Sequence, residues 1–407
     1  MNEARRKEIL EAARRFAEEV VRPRAVELDQ KPDPESCFSW EIVERGDAYG
    51  LRTLTLDPAY GGAGADTLTT AMVIEELARA DVGVAVVFAQ TLKIIQALQR
   101  AATPAQKARF LPRFREDPRF LLAIGITEPE TSSNYIIPYN HPEAPFRTIA
   151  TRARGGWILN GRKHYISNGN RAQLYMIFAQ TRPGASLVEG STCFLVEQGT
   201  PGFRIGRVHD KLGERFTNNA ELIFEDCFIP DENVLGEVDG GFEVLARFFP
   251  ASNAYAAATI LGVAEEAYER ALRWTRTRVQ GGRPLIEHDL IAALLAEMKM
   301  KLDAARAYVY QAAWAADHPE AWEPTLAALP KVFASQVAWE VVTAAFELHG
   351  GYGFMKDMGT GMEKLLRDAS TFLHSDGANR SLLLKAARFI QRGEPALVWK
   401  SYLQAAA

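Results

Sequence analysis

WILNGRKHYISNG, residues 157–169, alternates apolar and polar side chains and so reads as a strand. Arg154-Gly155-Gly156, just ahead of it, has the glycines of a hairpin turn. The same pattern continues in LYMIFAQT (174–181), STCFLVEQ (191–198) and AELIFEDCFIP (220–230), with Gly- and Pro-rich turns between them. Short strands punctuated in this way predict a compact antiparallel β domain over residues 121–236.

On either side the period changes to that of a helix. In the N-terminal stretch Ile9, Ala12, Ala13, Phe16 and Val20 recur at helical spacing, with charges between them. The glycine-rich AYGGAGAD (59–66) reads as a loop joining helices, because no strand leads into it and it lacks the Lys-Ser/Thr ending of a phosphate loop. Beyond Gly240-Gly241, one stripe in LIAALLAEMKMKLDAARAYVYQAAWAA runs Leu290, Leu294, Met298, Leu302, Ala305, Val309, Ala312. AALPKVFASQVAWEVVTAAFELHGG is a second long helix, stopped by Gly350-Gly351. With FEVLARFF and SLLLKAARFIQR these supply a four-helix bundle. The chain is therefore expected to be a multidomain α+β protein. It has a helical domain over 1–120, the antiparallel β domain, and a C-terminal four-helix bundle over 237–407.

The 407 residues, 47% hydrophobic and 24% charged, are enough for two or three units with sizeable cores. A net charge of −4 argues against a binder of nucleic-acid phosphates. Cys37, Cys193 and Cys227 have no CxxC spacing, so neither a disulfide framework nor a metal site is expected. The N-terminus lacks the apolar core of a signal peptide, and no apolar run approaches membrane-spanning length. A reducing, cytoplasmic setting without membrane attachment is the resulting expectation.

Four blocks carry a sharper message: ITEPE (126–130), NGRKHYISNG (160–169), RVQGGRPLIEH (278–288), and LHGGYG (348–353) followed by RDA (367–369). In this order, and over nearly the whole chain, they resemble the acyl-CoA dehydrogenase family of FAD-dependent flavoproteins. The resemblance implies that the turn at Ile126-Thr127 lies alongside a flavin ring. Thr127 then matches a threonine bonding to the ring, with Ile124 and Ile126 as apolar neighbours. Of the family's Ala-Gly-Ser-Asp continuation only Ser133 is matched, near cofactor or coenzyme phosphates, in the cofactor or the substrate site. The following YIIPYNHPEAPF (135–146) is longer than the usual connection and carries three prolines.

By the same resemblance Tyr165 stands where an aromatic residue packs against the flavin, and Ser167 where a hydroxyl bonds near the hydride-accepting N5. Arg278 is implied to pair with the flavin pyrophosphate across a subunit interface, which suits a bidentate guanidinium. Gly350 and Gly351 are implied to let backbone approach the cofactor, and Glu347 replaces the family's glutamine there. Ala378 and Arg380 complete the cofactor set, and Phe248, Asn253, Ser375 and Gly377 line the substrate. His349 reads as a packing or loop-capping residue.

HSDGANR (374–380) then decides the chemistry. Asp-Gly is a favoured turn pair. Counting from Arg367-Asp368-Ala369, however, Asp376-Gly377 fall where the family's catalytic glutamate and glycine stand. The resemblance makes Asp376 the base that removes the α-proton as hydride leaves the β-carbon. The earlier helix where some members carry the base reads Pro250-Ala251-Ser252-Asn253 and offers no carboxylate, which leaves Asp376 without a rival. Aspartate is one methylene shorter than glutamate, and Ser375 replaces the usual tyrosine; a branched or cyclic acyl group is expected. The implied partners are an acyl-CoA, an electron-transfer flavoprotein and further copies of the chain, in a dimer or homotetramer. Two alternatives stay open: a nitroalkane-oxidase-like oxidase or monooxygenase of the same fold, and a catalytically silent flavin-binding protein.

Overall fold

A computed structural model describes residues 1–132 and 142–392. Ser133, and the proline-rich segment as far as residue 141, lie outside the described residues. The chain begins with helices α1 (Glu3–Phe16), α2 (Arg22–Asp29), α3 (Trp40–Ala48), α4 (Thr67–Ala80), α5 (Val82–Ala101) and α6 (Pro104–Glu116). Their starts are written in the sequence: Asp66 and Asp81 accept hydrogen bonds from the free amides of α4 and α5, and Thr103 and Gln106 cap α6 reciprocally. Strands β1 (Leu122–Gly125), β2 (Ile149–Ala153), β3 (Gly156–Ser167), β4 (Leu174–Gln180), β5 (Ser191–Glu197), β6 (Phe203–Val208), β7 (Asn219–Pro230) and β8 (Val234–Leu235) follow. The second helical region holds α7 (Gly241–Thr277), α8 (Asp289–Ala315), α9 (Leu329–His349), α10 (Met362–Thr371) and α11 (Asn379–Arg392).

The sheet order is β6-β7-β3-β2-β4-β5-β8, with β1 on β4. β2 and β3 form the expected hairpin around Arg154-Gly155, with Gly155 at φ +75°. Strictly antiparallel pairing does not hold throughout, because β1 and the start of β2 run parallel to β4. A parallel neighbour requires a long crossover rather than a turn, and 48 residues of chain separate Gly125 from Leu174. Burial explains why β4 breaks the alternation seen in β3. Leu174, Met176 and Phe178 pack into one core and Tyr175, Ile177 and Ala179 into another, so both faces are apolar.

The largest core joins the two helical regions, with Phe16, Ile74, Leu77 and Phe88 packed among Leu261, Leu302 and Val341. Gly262 is what lets α4 and α7 come so close: a Cβ there would meet the Glu75 carbonyl oxygen at 2.3 Å. Two readings of the helices need correction. Leu290 is 86% exposed, since the inward stripe of α8 starts one residue later, at Ile291, and continues through Leu294-Leu295. Val82–Ala101 is, contrary to expectation, long and apolar enough to cross a membrane; 94% of that window is buried inside the protein, which makes α5 a core helix.

Candidate functional site

A cavity of about 640 Å³ opens where the sheet meets the helices. Ile124 and Ile126, with Thr127, form one wall at the end of β1, and Tyr165 and Ser167 continue it along β3. Tyr165 sits at a register shift between Lys163 and Ile166, with φ +59°. Such a bulge re-aims a side chain, and here it leaves an aromatic ring 59% exposed instead of packed on the sheet. His164 stacks on that ring at 3.9 Å, and His209 lies 4.9 Å from it. Asn219 Nδ2 donates to the Tyr165 carbonyl at 3.0 Å and to Ser167 Oγ at 3.4 Å, which fixes the wall.

The two motif blocks in this wall are tied together from behind. Lys163 Nζ donates to Glu128 Oε1 at 2.7 Å and to the Ile126 carbonyl at 3.3 Å, and both charged side chains are fully buried. Glu128 also accepts from the amides of Arg147 and Thr148. These bonds and the Lys163 charge hold its carboxyl below the usual range although burial, the largest influence, pushes the other way. Glu128 and Lys163 therefore build the turn that presents Thr127.

Helices supply the opposite wall. Val86, Gln90 and Lys93 of α5, at i, i+4 and i+7, share the face turned to the cavity. α7 adds Phe248, Phe249, Ser252 and Asn253, and α11 adds Leu382 and Lys385. The closing segment is the turn between α10 and α11, with Ser375, Asp376, Gly377 and Ala378. Asp376 adopts φ +49° and Gly377 φ +98°, so the pair is a left-handed turn and lines the cavity at once. Lys331 pins this turn from α9, donating to the carbonyls of Phe372 (2.6 Å) and Gly377 (2.7 Å) and to Asn379 Oδ1 (3.1 Å). Burial pushes the Lys331 amine down to about 7, against the pull of the Asp376 charge. The Asp376 carboxylate, 26% exposed, accepts from Lys93 Nζ at 3.1 Å.

Asp376 does have a rival. Glu214, 5% exposed, lines the same cavity and pairs with Lys211 at 3.3 Å. Burial raises its carboxyl above the usual range, and the Asp376 charge adds to this against Lys211. Glu214 lies neither in the segment after Arg367-Asp368-Ala369 nor in the 250–253 region, the two places where the resemblance puts a base. Its position comes from the RDA block: Asp368 accepts from the Glu214 amide at 2.8 Å, and a Cβ at Gly213 would meet the Arg367 carbonyl carbon at 2.6 Å. Arg367 itself bonds Asp29 and Glu363, so RDA is a structural clasp.

The remaining expected cofactor residues gather elsewhere. Arg278 ends α7 with its guanidinium 5.4 Å from the Tyr352 ring and 6.0 Å from the Trp274 ring. Trp274 stacks on His349, whose Nδ1 bonds the Ala345 carbonyl. Glu347 precedes this turn, and Gly350, at φ +54°, and Gly351 have no atom within 4 Å of where a Cβ would stand. None of these four, Arg278, Glu347, Gly350 and Gly351, lines the cavity, and neither does Arg380, which is exposed in the first turn of α11. Ser132, next to Ser133, does line it.

Matches to known proteins agree with this geometry. Residues 3–116, 123–227 and 239–391 match the N-terminal, middle and C-terminal domains of acyl-CoA dehydrogenase. The chain belongs to the acyl-CoA dehydrogenase family. It is 33% identical to the short-chain specific acyl-CoA dehydrogenase of Megasphaera elsdenii over 93% of this chain and 95% of that one. It is 31% identical to a cyclohex-1-ene-1-carbonyl-CoA dehydrogenase of Syntrophus aciditrophicus, over 91% and 86%. The butyryl-CoA dehydrogenase structure from M. elsdenii superposes with a TM-score of 0.88 at 32% identity, covering 96% of this chain and 99% of that one. A chain from structural work on the electron transferring flavoprotein of Acidaminococcus fermentans gives 0.88 at 30%, covering 96% and 99%.

The family's FAD fits the wall formed by β1 and β3. An exposed aromatic ring, the Ser167 hydroxyl and a buried His209 Nε2 without a partner among the described residues suit a planar, heteroatom-rich ring. On the helical side Phe248 and Asn253, expected to line the substrate, do line the cavity, whereas Gln90, Lys93, Ser252 and Lys385 were not singled out as site residues in the sequence. One signal was available: Lys93 lies within AQTLKIIQAL, an apolar run in which a lysine is out of place unless it has a task.

Proposed function

We propose that the protein is an FAD-dependent dehydrogenase of acyl-CoA thioesters, with Asp376 as the base that takes the α-proton. The observation that carries this reading is the Asp376-Gly377 turn, which presents a carboxylate to the cavity across from the wall of Thr127, Tyr165 and Ser167. FAD, bound along that wall, supplies a hydride acceptor. The chain's own groups do the rest. Lys331 fixes the turn through its carbonyls, and Lys93 orients the carboxylate from the helical side. Two further carboxyls lie on the lining: Asp210, paired with Arg215, and Glu214, whose Lys211 partner and near-complete burial favour the more exposed Asp376 as the group that meets substrate. The shorter aspartate and the Lys93 side chain reaching across from α5 suit a compact acyl group, whether short, branched or cyclic.

The outward patch at Arg278, Glu347, Gly350 and Gly351 belongs, in this reading, to a second subunit's cofactor. A cation beside two bare glycines suits a pyrophosphate. Exposed Val279, Tyr352, Phe354 and Met355 around it supply apolar area for a contact between copies. At least a dimer follows. Electrons leave to an electron-transfer flavoprotein, a step supported by the likeness to the chain from A. fermentans.

Anaerobic mixing of the flavin-loaded protein with saturated acyl-CoA thioesters tests the reading. Bleaching of the oxidised flavin band is expected within the mixing experiment. Oxygen consumption with nitroalkanes and no bleaching by any thioester would overturn it in favour of an oxidase.

A further inference from the structure

Lys211 and Glu214 stand on the segment that leads from β6 to β7, and both line the cavity beside the β3 wall. They pair at 3.3 Å, and among the described residues neither makes another ion pair. Lys211 Nζ also donates to Asn219 Oδ1 at 2.8 Å. The Asn219 amide nitrogen in turn donates to the Tyr165 carbonyl at 3.0 Å and to Ser167 Oγ at 3.4 Å. A run of polar groups therefore connects a buried carboxyl to the hydroxyl on the flavin wall: Glu214, Lys211, Asn219, Ser167.

Chemistry fixes the direction of each bond in this run. A lysine ammonium only donates, so the Asn219 atom facing it is the oxygen, and the nitrogen is turned to β3. That nitrogen occupies a lone pair of Ser167 Oγ, while the hydroxyl's own hydrogen has no acceptor among the described residues. Ser167 is thereby left as a donor to whatever lies in the cavity. The ammonium also polarises the amide it bonds, which strengthens the next bond along. Glu214 is anchored from the other end: its amide donates to Asp368 at 2.8 Å, and its backbone sits at φ +54°, costly for a glutamate unless the surroundings impose it. Burial pushes both side chains toward their neutral forms, and each is drawn back by the other's charge.

We propose that Lys211 and Glu214 are positioning residues that set the reduction potential of the flavin through Asn219 and Ser167, the lysine raising it and the glutamate lowering it. The proposal rests on the reading that FAD lies along the β1–β3 wall, and not on which thioester is oxidised. A flavin that accepts a hydride gains a negative charge, and the charges and donors held near its ring decide how stable that form is. A cation acting through a donor hydroxyl favours the reduced form, and a carboxylate beside the cation offsets it. A clasp such as Lys163–Glu128 has no such sign, because losing either partner only weakens the fold.

The potential is measured on the flavin-loaded protein without any thioester, by spectroelectrochemical titration at pH 7 against a reference dye. Lys211→Met is expected to lower the equilibrium constant for two-electron reduction about tenfold or more, a shift of about 30 mV. Lys211→Arg should keep most of the wild-type value, and Glu214→Gln should raise the constant severalfold. Loss of packing would not produce shifts of opposite sign for the two partners. An unaltered potential in either Lys211→Met or Glu214→Gln, or a fall in both, overturns the proposal. Where Lys211→Met does not retain flavin, the near-isosteric Glu214→Gln decides alone. Opposite shifts in a protein whose flavin no thioester bleaches would uphold the tuning pair and remove the dehydrogenase reading. Unaltered potentials in a protein that a thioester does bleach would remove the tuning pair alone, and a wild-type protein that takes up no FAD would remove both.

Discussion

The cavity beneath β1 and β3 and the surface around Arg278 were both expected to hold cofactor, and they are built in opposite ways. The cavity is closed by strands, helices and a pinned turn of one chain, with its polar groups held by buried partners such as Lys163–Glu128 and Lys331. The Arg278 surface faces outward: a guanidinium resting on two rings, and two glycines with empty space beside them. A motif tells which residue type stands at a position. Which elements a site draws on is decided by packing, and only the first of these two is lined from many elements of the one chain.

Chemistry should be confined to the closed region. Asp376→Asn keeps the shape of the turn, since asparagine also tolerates φ near +49°. It removes the proton acceptor, so kcat with an acyl-CoA should fall about 10²–10⁴-fold, the usual worth of a positioned general base. Flavin absorbance of the purified variant should remain. Turnover that survives would pass the role to Glu214, and Glu214→Gln is then the informative partner.

The clasp behind the flavin wall should matter nearly as much, but through stability. Glu128→Gln leaves the Lys163 ammonium without its counter-charge in a fully buried place. Removing one partner of such a pair typically costs about 3–5 kcal/mol. Denaturant unfolding should show that loss. The double replacement Glu128→Met with Lys163→Met should recover a good part of it, because no orphan charge is left.

At the open surface the effect should be smaller and of another kind. Arg278→Ala removes a cation that contacts no carboxylate among the described residues' ion pairs, so little stability is at stake. If the patch serves a second subunit's cofactor, flavin affinity should drop about 10- to 100-fold, in line with about 1.5–3 kcal/mol for a hydrogen bond to a charged group. Equilibrium dialysis of flavin measures this directly. An unaltered affinity would cut the Arg278 surface out of the cofactor site and leave the cavity as the whole of it.

What could be read from the chain follows the same division. Strand alternation and a glycine stop are local, and they placed β3 and the end of α9 without help from distant residues. The parallel pairing of β1 with β4 depends on which strand lies next to which, and no local pattern carries that. Motif blocks located Thr127, Tyr165, Ser167 and Asp376, all on the cavity. They gave no hint that Glu128 and Lys163 of two blocks neutralise each other, or that Arg367-Asp368 is a clasp rather than a spacer for counting. Glu214, Lys93 and Lys385 went unnoticed for a common reason: each is a charged residue whose burial is conferred by other elements, the last two on helices whose own pattern looked complete.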